Sequence, residues 1–316
     1  MRPLPSALTA YGWAMSTAEA ARIAGVATNE VLRFDGNTPP QPPAYASEAT
    51  IADALAEIQR YPHGGFPALL DAIAEYAGVD TEHIVLGAGA DDLLLLCGRA
   101  FAGPGDVVRV LEEPTYPVFR LAAWLAGADV GDEGDVLTYC CRPHNPTGAL
   151  GPLPEHRPLV VDEAYFEFAG ETAARTPGVI AVRTFSKAFG LASARVGYAV
   201  ADPDVAQELV VRQDPLPITT LSAALALAAL RAGPPDVGAT IAERERLASR
   251  LRELGLQPLE SHANFVYVPM QKAKETYERL LRLGLVVRPF DEAIRITVHT
   301  PQANGRLLDA LEQANG

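Results

Sequence analysis

Positive charge is scarce in this chain, and lysine is scarcest of all. Lysine and arginine together make 26 of the 316 residues against 39 acidic ones, a formal net charge of −13. That balance argues against a nucleic-acid binder and against adhesion to an acidic membrane surface. Cysteine is nearly absent. Cys97, Cys140 and Cys141 form no CxxC pair, so neither a thiolate metal site nor a disulfide framework follows, and a reducing compartment is expected. The six histidines lie far apart, none at HxxxH or HExxH spacing, which removes the metal hydrolases; no metal is expected. No apolar stretch approaches a membrane span, and the opening MRPLPSALTAYGWAMSTAEA lacks the unbroken apolar core of a signal peptide. A cytoplasmic protein is the expectation. GxGxxG and GK[ST] are missing too, which disfavours a dinucleotide fold and excludes a nucleotide P-loop.

What is present is a globular composition, 48% hydrophobic, with chain enough for one large domain or two modest ones. Of the 26 basic residues only Lys187, Lys272 and Lys274 are lysine, and Lys187 is the only one in the first 271 residues. In an arginine-rich background a mid-chain lysine calls for a reason. Arginine cannot replace lysine where chemistry needs a deprotonated amine.

The pattern along the chain is α/β. A short Ala-rich helix is expected around 17–25, then a Pro-rich irregular stretch, a helix at 48–59, the loop RYPHGGFP and a helix at 67–77. IVLG (84–87), VVRVL (107–111), VLTYCC (136–141), LVVDEAY (159–165), VIAVRTF (179–185) and GYAVA (197–201) read as strands. Helices at 90–101 and 116–126 follow the first two. Apolar runs of this length without alternation suit strands buried on both faces. Strands alternating with helices imply a mostly parallel sheet flanked by helices, with ligands at the strands' carboxyl ends. Helices at 220–231 and 239–255 lead to a tail of NFVYVPM, a helix at 271–283, GLVVRPF and IRITVHT, read as a small antiparallel α/β domain. The expected division is an N-terminal segment, 1–45, associated with the small domain, a large domain, 46–235, and a small C-terminal domain, 236–316.

Four elements carry chemistry. TFSKAFGLASAR (184–195) puts Lys187 just past a strand's carboxyl end, near Arg195. An amine beside a cation in a partly desolvated site has its pKa lowered and becomes nucleophilic enough to form a Schiff base with an aldehyde. LVVDEAYFEF (159–168) puts Asp162 at the end of another strand and Tyr165 three residues on. A strand-end carboxylate is often only a helix cap. Beside a lysine it fits a specific task, holding a proton on a pyridine nitrogen, and the pair is the usual protein contribution to pyridoxal-phosphate chemistry. GAGADD (87–92) joins a strand to a helix whose first N–H groups can bind a phosphate dianion, and Thr184, Ser186 and Arg195 add two hydroxyls and a guanidinium. HNPTG (144–148) is a tight turn that presents Asn145 as a donor.

Together HNPTG, DEAY, SKAFGLASAR and the late IRITVHT occur in the order found in fold-type I pyridoxal-phosphate aminotransferases, which the chain resembles over roughly residues 30–305. The RYP loop, GAGADD and PTYPVFR make it most similar to the histidinol-phosphate aminotransferase branch. The resemblance implies pyridoxal 5'-phosphate held on Lys187, with Asp162 on the ring nitrogen. It implies Asn145 and Tyr165 on the phenolic oxygen, and Tyr116 stacked on the ring. The backbone amides of Ala90 and Asp91, with Thr184, Ser186 and Arg195, would take the phosphate. Tyr61 would reach the phosphate of a partner subunit, which implies a homodimer. Arg295 would bind the substrate's carboxylate or phosphate, Arg288 would be a second anion contact, and Asn37 stands where relatives carry an asparagine near the substrate. His144 stands where the family usually has asparagine, and is expected to be a tolerated neighbour.

Departures from the family pattern lie between GADV (127–130) and CRPHNPTG, and in GALGPLPEHRP, which leaves no room for the helix usual there. They spare the cofactor residues and fall on the walls of the substrate pocket. The reading is a transaminase working by a ping-pong mechanism on an amino donor and a 2-oxo acid, with histidinol phosphate and 2-oxoglutarate as the leading pair. Its rivals are a decarboxylase of phosphothreonine in corrinoid synthesis, an aromatic or other amino-acid aminotransferase, and a non-catalytic relative.

Overall fold

The computed structural model describes residues 14–315. Residues 1–13, which begin the expected N-terminal segment and the stretch read for a signal peptide, lie outside the described residues, as does Gly316. The chain forms two compact units. The larger holds Gln41–Pro143 and Gly151–Pro235; the smaller takes the described residues up to Pro40, then His144–Leu150, and those from Asp236 onward.

The strands are β1 Leu32–Phe34, β2 Ile84–Gly87, β3 Val107–Val110, β4 Asp129–Val130, β5 Thr138–Cys141, β6 Leu159–Asp162, β7 Val179–Thr184, β8 Gly197–Val200, β9 Phe265–Pro269, β10 Leu285–Phe290 and β11 Ala293–Thr297. In the larger unit they form one sheet, ordered β2-β8-β7-β6-β5-β3-β4. β8 alone runs antiparallel to its neighbours. Every residue of β5, β6 and β7 is buried, as expected of unalternating apolar strands covered on both faces. Alternate strand residues serve two cores. Val85, Ile180 and Val182 meet Leu93, Leu94 and Phe119 on one face, while Ile84, Ala181 and Tyr198 meet Leu69, Ile73 and Ala226 on the other.

The helices Ala90–Phe101 and Thr220–Arg231 have the bounds that periodicity predicts. The helix expected over 48–59 stops at Ala56. There Ile58 N–H turns to the Leu55 carbonyl and Arg60 N–H to the Glu57 carbonyl, as the chain enters Tyr61–Pro62, and a residue before proline disfavours the helical region. The structure adds the helices Pro203–Arg212 and Pro301–Asn315, each opened by proline, the residue best tolerated in a first turn. Residues 151–158 carry neither helix nor strand.

The smaller unit has its own sheet, β1-β10-β11-β9, antiparallel except for the parallel pairing of β1 with β10. Phe34, Val266, Val268, Val287, Ile294 and Ile296 build its core with Leu247, Leu251, Leu307 and Leu311 from the helices. Among the described residues no helix is long and apolar enough to cross a membrane.

Candidate active site

In the larger unit, parallel pairing brings strand ends from distant sequence to one edge. β6 ends in Asp162, the register partner of Val182, and β7 ends two residues later in Thr184. Asp162 is 3% exposed and its Oδ1 accepts the Ala164 N–H at 3.0 Å. Burial pushes this carboxyl up to about 7, against the pull of the Ala164 N–H and the Lys187 charge. Lys187 is half-buried, with Nζ 5.7 Å from the centroid of the Tyr165 ring. Thr184 and Ser186 are both buried; Thr184 Oγ1 donates to Ser186 Oγ at 2.9 Å and accepts the Ser186 N–H at 3.1 Å.

The GAGADD turn arrives beside them through β8. Gly197 of β8 pairs with Gly87 on one side and Thr184 on the other, which sets the turn level with Thr184. Gly89 has φ +86°, and a Cβ there would stand 2.7 Å from Arg195 Nη2, so only glycine leaves the guanidinium its place. Arg195 donates to the Ala88 carbonyl at 3.3 Å and lies 3.5 Å from Asp91. Ala90 opens a twelve-residue helix, and its first-turn N–H groups lack partners within the helix, at the positive end of its dipole. Tyr116 Oη donates to Asp91 Oδ1 at 2.7 Å, and burial pushes its phenol far above the ordinary range. The structure thus gathers Ala90, Asp91, Tyr116, Asp162, Tyr165, Thr184, Ser186, Lys187 and Arg195 at one edge of the sheet. Tyr61 is 76% exposed, in the loop that follows the 48–56 helix.

The smaller unit holds the other sequence candidates. In HNPTG the Gly148 N–H donates to the His144 carbonyl at 2.7 Å, and a Cβ on Gly148, at φ +83°, would strike the Ser261 side chain. His144 is buried, its Nδ1 2.8 Å from Thr147 Oγ1. Asn145 Oδ1 accepts from Arg295 Nη1 at 2.6 Å, while Arg295 Nη2 donates to the Asp35 carbonyl at 3.1 Å. The Arg295 guanidinium stands 5.1 Å from the Phe265 ring centroid. Arg288 is its register partner on β10, and is exposed. Asn37 is 1% exposed, at φ +52°, with its N–H and Oδ1 both bonded to the Thr297 hydroxyl. Its carbonyl accepts from Asn264 Nδ2 at 3.0 Å.

Sequence reasoning passed over two features. Cys141 is the register partner of Asp162, and its thiol, which donates to the Pro143 carbonyl at 3.1 Å, helps to hold the Asp162 carboxyl down; nothing short of sheet order pairs them. Glu163 and Arg183, each next in sequence to a site residue, form a buried ion pair at 2.9 Å. A charged residue inside an apolar strand was the available signal.

Three comparisons bear on this geometry. The family model described as aminotransferase class I and II matches residues 22–132 and 131–311. A histidinol-phosphate aminotransferase of Staphylococcus haemolyticus is 33% identical over 322 residues, spanning 90% of this chain and 91% of that protein. The crystal structure of histidinol-phosphate aminotransferase from Sinorhizobium meliloti in complex with pyridoxal-5'-phosphate has a TM-score of 0.85 at 27% identity, covering 100% of this chain and 97% of that one. An L-threonine-O-3-phosphate decarboxylase of Porphyromonas gingivalis, at 21% identity and TM-score 0.76 over 90% of this chain and 99% of that one, shares the fold.

Proposed function

The chain belongs to the class I and II aminotransferases, a pyridoxal-phosphate-dependent family, and on that premise we propose that it moves an amino group from histidinol phosphate, or a closely related amino donor, to 2-oxoglutarate. The residues fit the cofactor. Gly89 leaves a cradle that a Cβ would fill, walled by Arg195 and opened by a helix N-terminus, which suits a phosphate. Asp162, whose charge burial disfavours, is a carboxylate that a neighbouring ring cation would stabilise.

When bound, the cofactor supplies an electrophilic carbon for amines and a ring that takes up the electrons released at the substrate's Cα. The chain supplies the rest. Lys187 Nζ would anchor the cofactor, then carry the proton from the substrate's Cα, a step worth roughly 10²–10⁴-fold when the base is positioned. Asp162 would keep the ring nitrogen protonated, and Tyr165 and Asn145 would bond the phenolic oxygen. Tyr116 would cover the ring. Ala90, Asp91, Thr184, Ser186 and Arg195 would hold the phosphate. Arg295 would take the substrate's anionic group, with Arg288 as the second anion contact and Asn37 on the substrate side. A homodimer in the cytoplasm belongs to this reading, Tyr61 serving the partner's phosphate, as does a small domain that includes the N-terminal segment.

The observation that carries the reading is the placement of Lys187. The only lysine among the first 271 residues stands at the same sheet edge as a buried carboxylate, against Tyr165. Product analysis over a panel of amino donors tests it. Histidinol phosphate should exceed histidine, tyrosine and aspartate by at least about tenfold in kcat/KM, about the effect of one charge-assisted contact. Release of carbon dioxide from phosphothreonine in place of a keto product would move the chain to the decarboxylase reading.

A further inference from the structure

Behind the site lies a buried polar cluster that takes no part in the chemistry just described. Arg183 Nε meets Glu163 Oε2 at 2.9 Å, with both side chains almost wholly buried. The Thr172 hydroxyl lies 2.8 Å from Glu163 Oε2 and 2.5 Å from Arg183 Nη2, and Arg183 Nη1 donates to Tyr198 Oη at 3.3 Å. The guanidinium lies 3.8 Å from the centroid of the Phe166 ring. Glu167 adjoins Arg183, and burial pushes its carboxyl up to about 8.

The membership of the cluster is what matters. Glu163 follows Asp162, Phe166 follows Tyr165, Arg183 precedes Thr184, and Tyr198 follows Gly197, the glycine packed against Gly89. In a strand, successive side chains point to opposite faces. A residue next to Thr184 or Gly197 on its strand therefore faces away from the site, and these two join behind it. The Glu163 N–H also donates to the Val182 carbonyl at 2.8 Å, which stitches the end of β6 to β7.

We propose that the Glu163–Arg183 pair, with Thr172, Tyr198 and Phe166, is a positioning frame that sets Asp162, Tyr165 and Thr184 relative to one another for the cofactor. The five members, drawn from β7, β8 and the 163–172 segment that follows β6, over-determine the strand ends. The proposal rests on the reading of Asp162 and Thr184 as cofactor contacts. An ion pair buried only for stability has a different signature. Replacing such a pair by apolar residues of similar volume is often neutral or stabilising, because it removes the desolvation cost of two charges. A frame replaced in that way would keep the fold and lose the alignment.

The test is the double variant Glu163→Leu/Arg183→Met, compared with wild type in thermal midpoint, in pyridoxal-phosphate affinity of the apoprotein by fluorescence, and in the pH titration of the bound chromophore. The expected result is a midpoint within a few degrees of wild type, with affinity lowered at least about tenfold, the loss of one good contact, and a displaced titration. Wild-type affinity and titration in a folded double variant would overturn the proposal. If the double variant does not fold, Arg183→Lys decides, since it keeps the charge and loses the planar fork. Weaker cofactor binding at an unchanged midpoint supports the frame; wild-type binding overturns it. Asp162→Asn separates the two claims. If it binds cofactor with wild-type affinity and spectrum, the reading of Asp162 fails, whatever the double variant does.

Discussion

Arg288 and Arg295 stand directly opposite one another across the antiparallel pair of β10 and β11. Side chains of facing residues in such a pair share one side of the sheet, and like charges there repel. Arg295 is 8% exposed, held by Asn145 and the Asp35 carbonyl, whereas Arg288 is exposed. An anion between the two guanidiniums would relieve the repulsion.

Arg295→Ala is therefore expected to impair both half-reactions, lowering kcat/KM for anionic substrates about ten- to a hundredfold, the cost of a charge-assisted contact. Arg288→Ala should weaken phosphorylated donors more than simple amino acids. Steady-state kinetics with paired phosphorylated and unphosphorylated donors checks both. Unchanged half-reactions in Arg295→Ala with cofactor bound would place the anion site elsewhere.

Lys187 should carry the cofactor. Borohydride reduction of the holoenzyme followed by peptide mapping should put the pyridoxyl label on Lys187, and Lys187→Arg should fold while losing at least about 10²-fold in turnover, the contribution of a positioned proton carrier. A label on Lys272 or Lys274 would sink the assignment.

Asp162 should cost the apoprotein stability. Its carboxyl ordinarily titrates near 3.8, and burial raises it to about 7 in the fold. Between those values the native state binds the extra proton, so stability falls as pH rises through that window; below pH 3.8 the penalty is absent. The gap corresponds to ~4 kcal/mol at most. Asp162→Asn apoprotein should therefore melt above wild type at pH 8, with the difference shrinking towards pH 4. In the presence of pyridoxal phosphate the order should reverse. Calorimetry with and without cofactor reads both; equal midpoints at pH 8 would show that the carboxylate is not penalised.

Tyr61 presents an exposed phenol. If it serves the partner's phosphate, Tyr61→Phe should raise the cofactor dissociation constant about three- to tenfold, one lost hydrogen bond, without moving the thermal midpoint. Mixing Tyr61→Phe with Lys187→Ala should form hybrid dimers whose single competent site has a wild-type Tyr61. Sedimentation as a monomer at assay concentration would remove this role.

Fold class was legible from the residues alone, for a local reason. Burial on both faces demands apolar runs such as LVVD and VIAVRT, and helices between them demand a periodic stripe, so the order of elements is written in adjacent residues. Lys187 stood out in the sequence because arginine cannot replace a lysine whose amine must lose its proton, and HNPTG because a tight turn limits which residues it admits. Pairing across the sheet is a different kind of information. That Gly197 sits between Gly87 and Thr184, that Cys141 faces Asp162, and that Arg288 faces Arg295 follows from strand order and register. So does the union of Glu163, Arg183 and Tyr198 behind the site, from positions up to 35 residues apart in sequence. Register is settled when whole faces are buried together, and no local stretch of sequence contains that condition. Chemistry that needs one residue type is therefore local, while the alignment of its helpers is a property of the assembled sheet.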